Sequence, residues 1–303
     1  MCGICGILAP EVRRKELDAM TAVQHHRGPD DWGVALLEGD TVGLGHNRLS
    51  IIDLSKAGHQ PMSNAGGGLT IVFNGEVYNY RELKQELSGY PFRGDSDTEV
   101  VLAAYERWGE ACLEHFVGMF AFAIWDAGKK HLFCARDRLG VKPFHYARHG
   151  GRFLFASEVK ALLAAGIPAE PDEESWALYL AHGVYELPGR SFFKGVKALP
   201  PAHAMTVAAD GALKQWRYWD LAERAAEPFN ADDDAAADEV RALLEDSVRL
   251  RLRADVPVGV MLSGGLDSAA VMTTVDRLLP QGGEIETFTG VFGDPRYDED
   301  DFS

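Results

Sequence analysis

Between residues 205 and 235 the chain changes its hydrophobic pattern, and that change constrains the fold more than any single motif does. Upstream, short apolar runs at 69–73, 120–125 and 131–135 are bounded by Gly, Asn and Asp, the signature of strands joined by turns. Two segments, 80–88 and 98–108, instead place apolar residues three to four apart, which predicts helices, with Ser96 or Asp97 available to cap the second. Then come Pro171, Pro188, Pro200 and Pro201 and an Ala- and Asp-rich polar stretch at 222–238. Downstream, 239–253 reads as helix, 256–262 as strand, 268–279 as helix and 285–292 as strand, the opening of a doubly wound parallel sheet. The expectation is a sheet-rich α+β domain over 1–205, a linker over 206–235 and the start of an α/β domain over 236–303. At 303 residues, 46% of them hydrophobic, the chain can bury two such cores.

The formal charge of −16 disfavours nucleic-acid phosphate and anionic membranes as partners, because both would repel it. No run of about 18 apolar residues is present, and the N-terminal segment is not a secretory signal. Four cysteines, at 2, 5, 112 and 134, are too few and too scattered for a disulfide scaffold. A small-molecule partner and a cytoplasmic setting are expected.

Two constellations carry chemistry. If Met1 is removed, Cys2 holds a thiol and a free α-amine on one residue. Their reference pKa values are roughly 8.5 and 7.7–8.0, so the amine can take the thiol proton near neutrality, directly or through a water. A buried strand with two apolar thiols, a dithiol redox pair and half a zinc site are the other readings of Met-Cys-Gly-Ile-Cys. Zinc is disfavoured because Cys112 and Cys134 form no second close pair. Redox is disfavoured because Gly3 to Leu8 reads as strand rather than helix.

The second constellation is Ser263-Gly264-Gly265-Leu266-Asp267-Ser268, between the 256–262 strand and the following helix. Strand, glycine turn and helix N-terminus make an anion cradle, through exposed N–H groups and the helix dipole. A P-loop with its lysine is excluded by the residues present.

Taken in order, six segments extend the reading: Met-Cys-Gly-Ile-Cys-Gly at 1–6, His-Arg-Gly-Pro-Asp-Asp at 26–31, Gly-His-Asn-Arg-Leu-Ser-Ile-Ile-Asp-Leu-Ser at 45–55, Phe-Asn-Gly-Glu-Val-Tyr-Asn at 73–79, Ser-Asp-Thr-Glu at 96–99 and Arg-Asp-Arg-Leu-Gly-Val-Lys-Pro-Phe at 136–144. Together with the glycine turn they resemble asparagine synthetase of the glutamine-hydrolysing type. The resemblance implies an N-terminal four-layer αββα sandwich of the N-terminal-nucleophile kind, followed by a truncated doubly wound domain. It further implies Cys2 as nucleophile, with Asn74 and the Gly75 N–H as oxyanion donors. Arg48 would bind the glutamine α-carboxylate and Asp97 its ammonium, with Leu49, Ser50, Ile51, Ile52 and Glu76 lining the pocket. Singly, Asn74-Gly75 also reads as a hairpin turn, Asp97 as a helix cap and Arg48 as a surface ion pair.

For the second domain, the resemblance implies ATP held by Leu262, Ser263, Gly264, Gly265, Asp267, Ser268 and Gly290, with Mg²⁺ bridging Asp267 to phosphate. Aspartate would be adenylated and then amidated by ammonia. The resemblance allows a homodimer; the residues themselves specify no oligomeric state. Only 35 residues follow Ser268, so the chain is expected to be a fragment or to be completed by a second polypeptide. It would otherwise hydrolyse glutamine without making asparagine. A glutaminase with an inert second domain, an amidotransferase using another carboxylate, and a non-enzymatic binding module stand beside the leading reading.

Overall fold

The computed structural model describes residues 1–185, 187–226, 232–280, 283–291 and 293. They form two compact units, Met1–Arg224 and Ala225–Ser303.

The first unit runs β1 (Gly3–Leu8), α1 (Arg14–Ala22), β2 (Asp31–Leu37), β3 (Val42–Arg48), β4 (Met62–Ser63), β5 (Leu69–Val77), α2 (Tyr80–Glu86), α3 (Asp97–Trp108), α4 (Cys112–His115), β6 (Gly118–Asp126), β7 (His131–Arg136), β8 (His145–His149), β9 (Arg152–Ala156), α5 (Val159–Ala164), α6 (Glu173–His182), β10 (Val196–Ala198), β11 (His203–Ala208), β12 (Leu213–Arg217) and α7 (Leu221–Ala225). Its strands make two antiparallel six-stranded sheets, ordered β10-β8-β9-β1-β3-β2 and β12-β11-β7-β6-β5-β4.

The sheets stack face to face. Ile4 and Leu44 of the first meet Val72, Ala123, Leu132 and Met205 of the second. On the outer side of the first sheet, Cys5 and Ile7 pack on Leu17 and Met20 of α1 and Leu162 of α5. On the outer side of the second, Ile71, Phe73, Phe122 and Ile124 pack on Val100, Val101 and Ala104 of α3. The result is the expected four-layer αββα sandwich. Strands covered on both faces cannot alternate apolar with polar, which is why 69–73 and 120–125 read as unbroken apolar runs. Each fully buried side chain of this kind contributes about 1.5–3 kcal/mol, and Phe73, Phe120, Phe122, Phe133, Phe144 and Phe155 are all of that class.

The end of this unit departs from expectation. Residues 206–217, assigned to a linker, are β11 and β12; β11 pairs with β7, placing Thr206 opposite Phe133. Tyr218 is tied back as well, its hydroxyl donating to the Arg136 carbonyl at 2.9 Å. Pro200 and Pro201 mark the turn into β11, not the exit from the domain. α6 was not foreseen either; Asp172 caps it, accepting from the Ser175 N–H at 2.9 Å.

The second unit comprises α8 (Asp233–Arg251), β13 (Gly259–Met261), α9 (Leu266–Leu278) and β14 (Glu286–Phe288). β13 and β14 are parallel, with Val260 opposite Thr287, and α9 is the crossover. The strands are shorter than the predicted 256–262 and 285–292, and residue 292 lies outside the described residues. α8 begins inside the segment read as linker, because Asp232 caps it through the Ala235 N–H at 2.9 Å and alanine is the strongest helix former.

Candidate active site

The best-formed site lies in the first unit, where β1, β3 and β5 and the N-terminus of α3 surround a cavity of about 140 Å³. Its lining includes Cys2, Arg48, Leu49, Ile51, Ile52, Asn74, Gly75, Glu76 and Asp97. Nine of the residues singled out from sequence, drawn from four separate segments, therefore converge. Ser50 does not line it; its N–H turns away to Asp30 Oδ2 at 2.8 Å. Met1, Gly58, Gln60, Phe73, Ser96, Thr98 and Lys142 also line the cavity and were not anticipated. Met1, Phe73, Ser96, Thr98 and Lys142 were signalled by their places in the quoted motifs, whereas Gly58 and Gln60 lie outside them.

Cys2 precedes β1, whose alternation sends Ile4 into the inter-sheet core and Cys5 toward α1. Cys5 packs on the α1 side while Cys2 lines the cavity, and the segment is strand rather than helix, an arrangement that does not favour a dithiol pair. The Leu49 N–H donates to Cys2 Sγ at 3.4 Å, and the Cys2 carbonyl accepts from Arg27 Nε at 2.9 Å. Burial pushes the Cys2 thiol above its ordinary range, and the Leu49 N–H opposes that shift.

Arg48 ends β3, buried rather than on the surface. Its guanidinium donates to the carbonyls of Ile52 at 3.3 Å, Ser55 at 2.9 Å and Asp53, fixing the loop that carries Leu49 to Ile52. Three of its five N–H donors are so used. Among the described residues no carboxylate forms an ion pair with it.

Asn74 and Gly75 lie within β5, not in a turn. Gly75 is opposite Phe120, whose own N–H and C=O go to Asp137 on the far side of β6, the C=O accepting from the Asp137 N–H at 2.8 Å. The Gly75–Phe120 pair is thus non-hydrogen-bonded, and the Gly75 N–H points away from β6 toward the cavity side. A side chain here is excluded, since a Cβ would fall 2.3 Å from the Met119 carbonyl oxygen and 2.6 Å from Phe120 Cα. The Asn74 side-chain amide is buried, with neither its nitrogen nor its oxygen hydrogen-bonded to any described residue, an arrangement that costs about 1–3 kcal/mol per group unless a ligand or water supplies the partner.

Ser96 takes the capping role on α3, accepting from the Glu99 N–H at 3.3 Å. Asp97 is thereby released for the cavity, where its Oδ2 accepts from the Val77 N–H at 3.0 Å. Burial, reinforced by the Glu76 carboxylate and opposed by that N–H, pushes its carboxyl up to about 7.

In the second unit, Ser263 to Gly265 join β13 to α9 with Gly264 at φ +72°. Ser268 Oγ donates to the Gly265 carbonyl at 3.0 Å and accepts from the Ser263 N–H at 3.2 Å. Leu262 bridges to β14, its N–H donating to Phe288 at 2.9 Å and its carbonyl accepting from Thr289 Oγ1 at 2.9 Å, one residue before Gly290. Asp267 is exposed in the first turn of α9.

A cavity at strand ends, a cysteine beside a paired-sheet core and flanking helices on both sides define the class. A family model described as a glutamine amidotransferase domain matches residues 1–219, and one described as asparagine synthase matches 239–303. The chain belongs to the glutamine amidotransferase family. It is 44% identical over 284 residues to "Asparagine synthetase [glutamine-hydrolyzing] 3" of Bacillus subtilis, a match covering 89% of this chain and 44% of the relative. It is 38% identical over 281 residues to "Amidase chry2" of Gibberella zeae, covering 91% and 41% respectively. The chain thus spans less than half the length of these curated relatives. Its fold resembles glutamine phosphoribosylpyrophosphate amidotransferase of B. subtilis, at a TM-score of 0.56 and 18% identity, over 95% of this chain and 66% of that one.

Proposed function

We propose that the first unit hydrolyses glutamine, with Cys2 as nucleophile once Met1 is removed. The observation that carries this reading is a set of groups in one cavity that lack a complement among the described residues: a buried guanidinium with no carboxylate, a buried carboxyl with no cation, and an amide with no hydrogen bond. These complement the α-carboxylate, α-ammonium and side-chain carbonyl of glutamine. The Cys2 sulfur adds to the γ-carbonyl carbon while its proton passes to the α-amine. The carbonyl electrons move onto oxygen, opposite the Asn74 amide and the Gly75 N–H. Collapse expels ammonia, protonated by the same amine, and water then releases glutamate from the thioester.

The second unit supports a further step, in which ATP activates an acceptor carboxylate as its adenylate with loss of pyrophosphate, and ammonia displaces AMP. The Ser263–Ser268 turn at the N-terminus of α9 suits the phosphates, with Leu262 and Gly290 toward the adenosine. Among the described residues no group of three metal-ligating side chains occurs. Asp267 would then offer a single carboxylate to a Mg²⁺ held chiefly by phosphate and water, which suits this cation's coordination habit. Bound there, it would neutralise phosphate charge. Aspartate is the favoured acceptor, on the relatives' names; the amidase-named relative keeps a different acceptor as the second reading.

The test is intact mass together with glutamate release, comparing the chain with Cys2→Ala. Loss of Met1 and Cys2-dependent glutamate release are expected. Retained Met1, or turnover that survives Cys2→Ala, removes Cys2 as the nucleophile.

A further inference from the structure

Along the edge of β5 that faces away from β6, the odd-numbered residues turn their N–H and C=O groups outward, and each is met differently. Leu69 is met by Asn64, whose N–H donates to its carbonyl at 3.0 Å. Ile71 is met by β4, opposite Met62. At Val77 the N–H goes to the Asp97 carboxyl. Gly75 opens on the cavity. Next along this edge comes Phe73, and no strand of the described residues reaches it. Two buried side chains do instead. The Phe73 N–H donates to Gln60 Oε1 at 2.7 Å, and the Phe73 carbonyl lies 3.0 Å from His46 Nε2. Because the partner is a carbonyl, His46 carries its proton on Nε2 and is the donor. Its Nδ1 is buried with no hydrogen-bond partner among the described residues. Gln60 is itself held, its Nε2 donating to Thr98 Oγ1 at 3.2 Å.

We infer that His46 and Gln60 are positioning residues, a side-chain substitute for the missing strand, which hold the Phe73 peptide and so aim the next two residues, Asn74 and Gly75, at the oxyanion. This rests on the proposed oxyanion role of Asn74 and Gly75. The geometry favours it over a merely structural role because both side chains grip the residue adjoining Asn74, and the carbonyl held by His46 belongs to the same peptide unit as the Asn74 N–H. A shift of about 1 Å in reacting groups costs roughly 100-fold in rate. His46 is fully buried, and burial drives its pKa down to about 3, so the ring is a neutral donor throughout the working pH range.

The experiment compares His46→Leu, which removes the donor; His46→Gln, which restores an N–H near the Nε2 position; Gln60→Met, which removes the acceptor; and Asn74→Ala. Each is assayed for glutaminase kcat and KM and for inhibition by glutamate γ-semialdehyde. This aldehyde adds to the Cys2 sulfur, and its carbonyl oxygen becomes the oxyanion mimic. His46→Leu and Gln60→Met are expected to lose roughly 10- to 100-fold in kcat and in aldehyde affinity with glutamine KM little changed. His46→Gln should recover most of that loss, and His46→Leu should cost less when combined with Asn74→Ala than it does alone, the remainder running through the Gly75 N–H. If Asn74→Ala leaves aldehyde affinity intact, the oxyanion reading itself fails. If Asn74→Ala weakens it while His46→Leu and Gln60→Met do not, or if the losses simply multiply in the double variant, the positioning inference is overturned. Gln60→Met keeps the test decisive if His46→Leu does not fold.

Discussion

Asp97 occupies the first turn of α3, yet its carboxyl serves the cavity because Ser96 already caps the helix. A carboxyl raised to about 7 by burial is half protonated near neutrality, and the protonated form offers an ammonium no charge. Glutamine affinity should therefore weaken as pH falls through about 7, approaching tenfold per pH unit below it. Calorimetric titration of glutamine into the Cys2→Ala protein between about pH 5.5 and 8 isolates this term from the nucleophile. A Kd that stays flat across that range would remove Asp97 from the ammonium site. For the free protein the sign is the opposite of the usual carboxylate. The raised pKa contributes stability that is full below the ordinary value near 3.8 and is lost as pH rises through about 7.

At the scale of elements, the turn from β7 toward β8 shows how a buried carboxylate behind the cavity wall can shape the site. Asp137 is buried and accepts from the N–H groups of Phe120 at 3.2 Å, Leu139 at 3.1 Å, and Val141 and Lys142, both at 2.9 Å. Arg136 ties the same turn from the other side, donating to the carbonyls of Gly140, Lys142 and Leu199 at 2.6–2.7 Å. This sets Lys142 on the cavity wall and helps hold the Phe120 segment against which Gly75 packs. Asp137→Ala leaves buried donors without an acceptor and should cost roughly 2–4 kcal/mol in urea denaturation, with glutaminase activity falling as well. A variant with an unchanged unfolding midpoint would show that water replaces the carboxylate at no cost.

Across the whole molecule, the apolar core is unevenly divided. The three core clusters lie entirely within the first 218 residues, whereas the second unit buries only Val248, Leu250 and Val275 among the apolar side chains of its described residues. A polypeptide of residues 1–224 should therefore fold alone, unfold at the same urea concentration as the major transition of the full chain, and keep its glutaminase kcat. Precipitation of that polypeptide, or loss of its activity, would show that the first unit depends on the rest of the chain.

Motif order alone was enough to bring out most of the candidate site's cavity-lining residues. The segments around Cys2, Arg48, Asn74 and Asp97 are locally distinctive, and each carries a residue type whose chemistry is specific even before its neighbours are known. The strand–turn–helix around Gly264 was legible for the same reason. What only the tertiary structure decided is which of two local meanings each residue takes. Asn74-Gly75 is strand rather than turn because β6 pairs along its whole length, and Ser96 rather than Asp97 caps α3, leaving the Asp97 carboxyl to accept from the Val77 N–H. Residues 206–217 are sheet because β7 leaves an edge for them to join. The part played by His46 and Gln60 could not be read, although His46 stands in the 45–55 motif: both grip one residue, Phe73, 27 and 13 positions away, and hydrogen bonds to backbone groups leave no trace in side-chain pattern. Local preference is written in neighbouring residues, but the choice between two preferences of similar energy falls to contacts that exist only once the chain has closed.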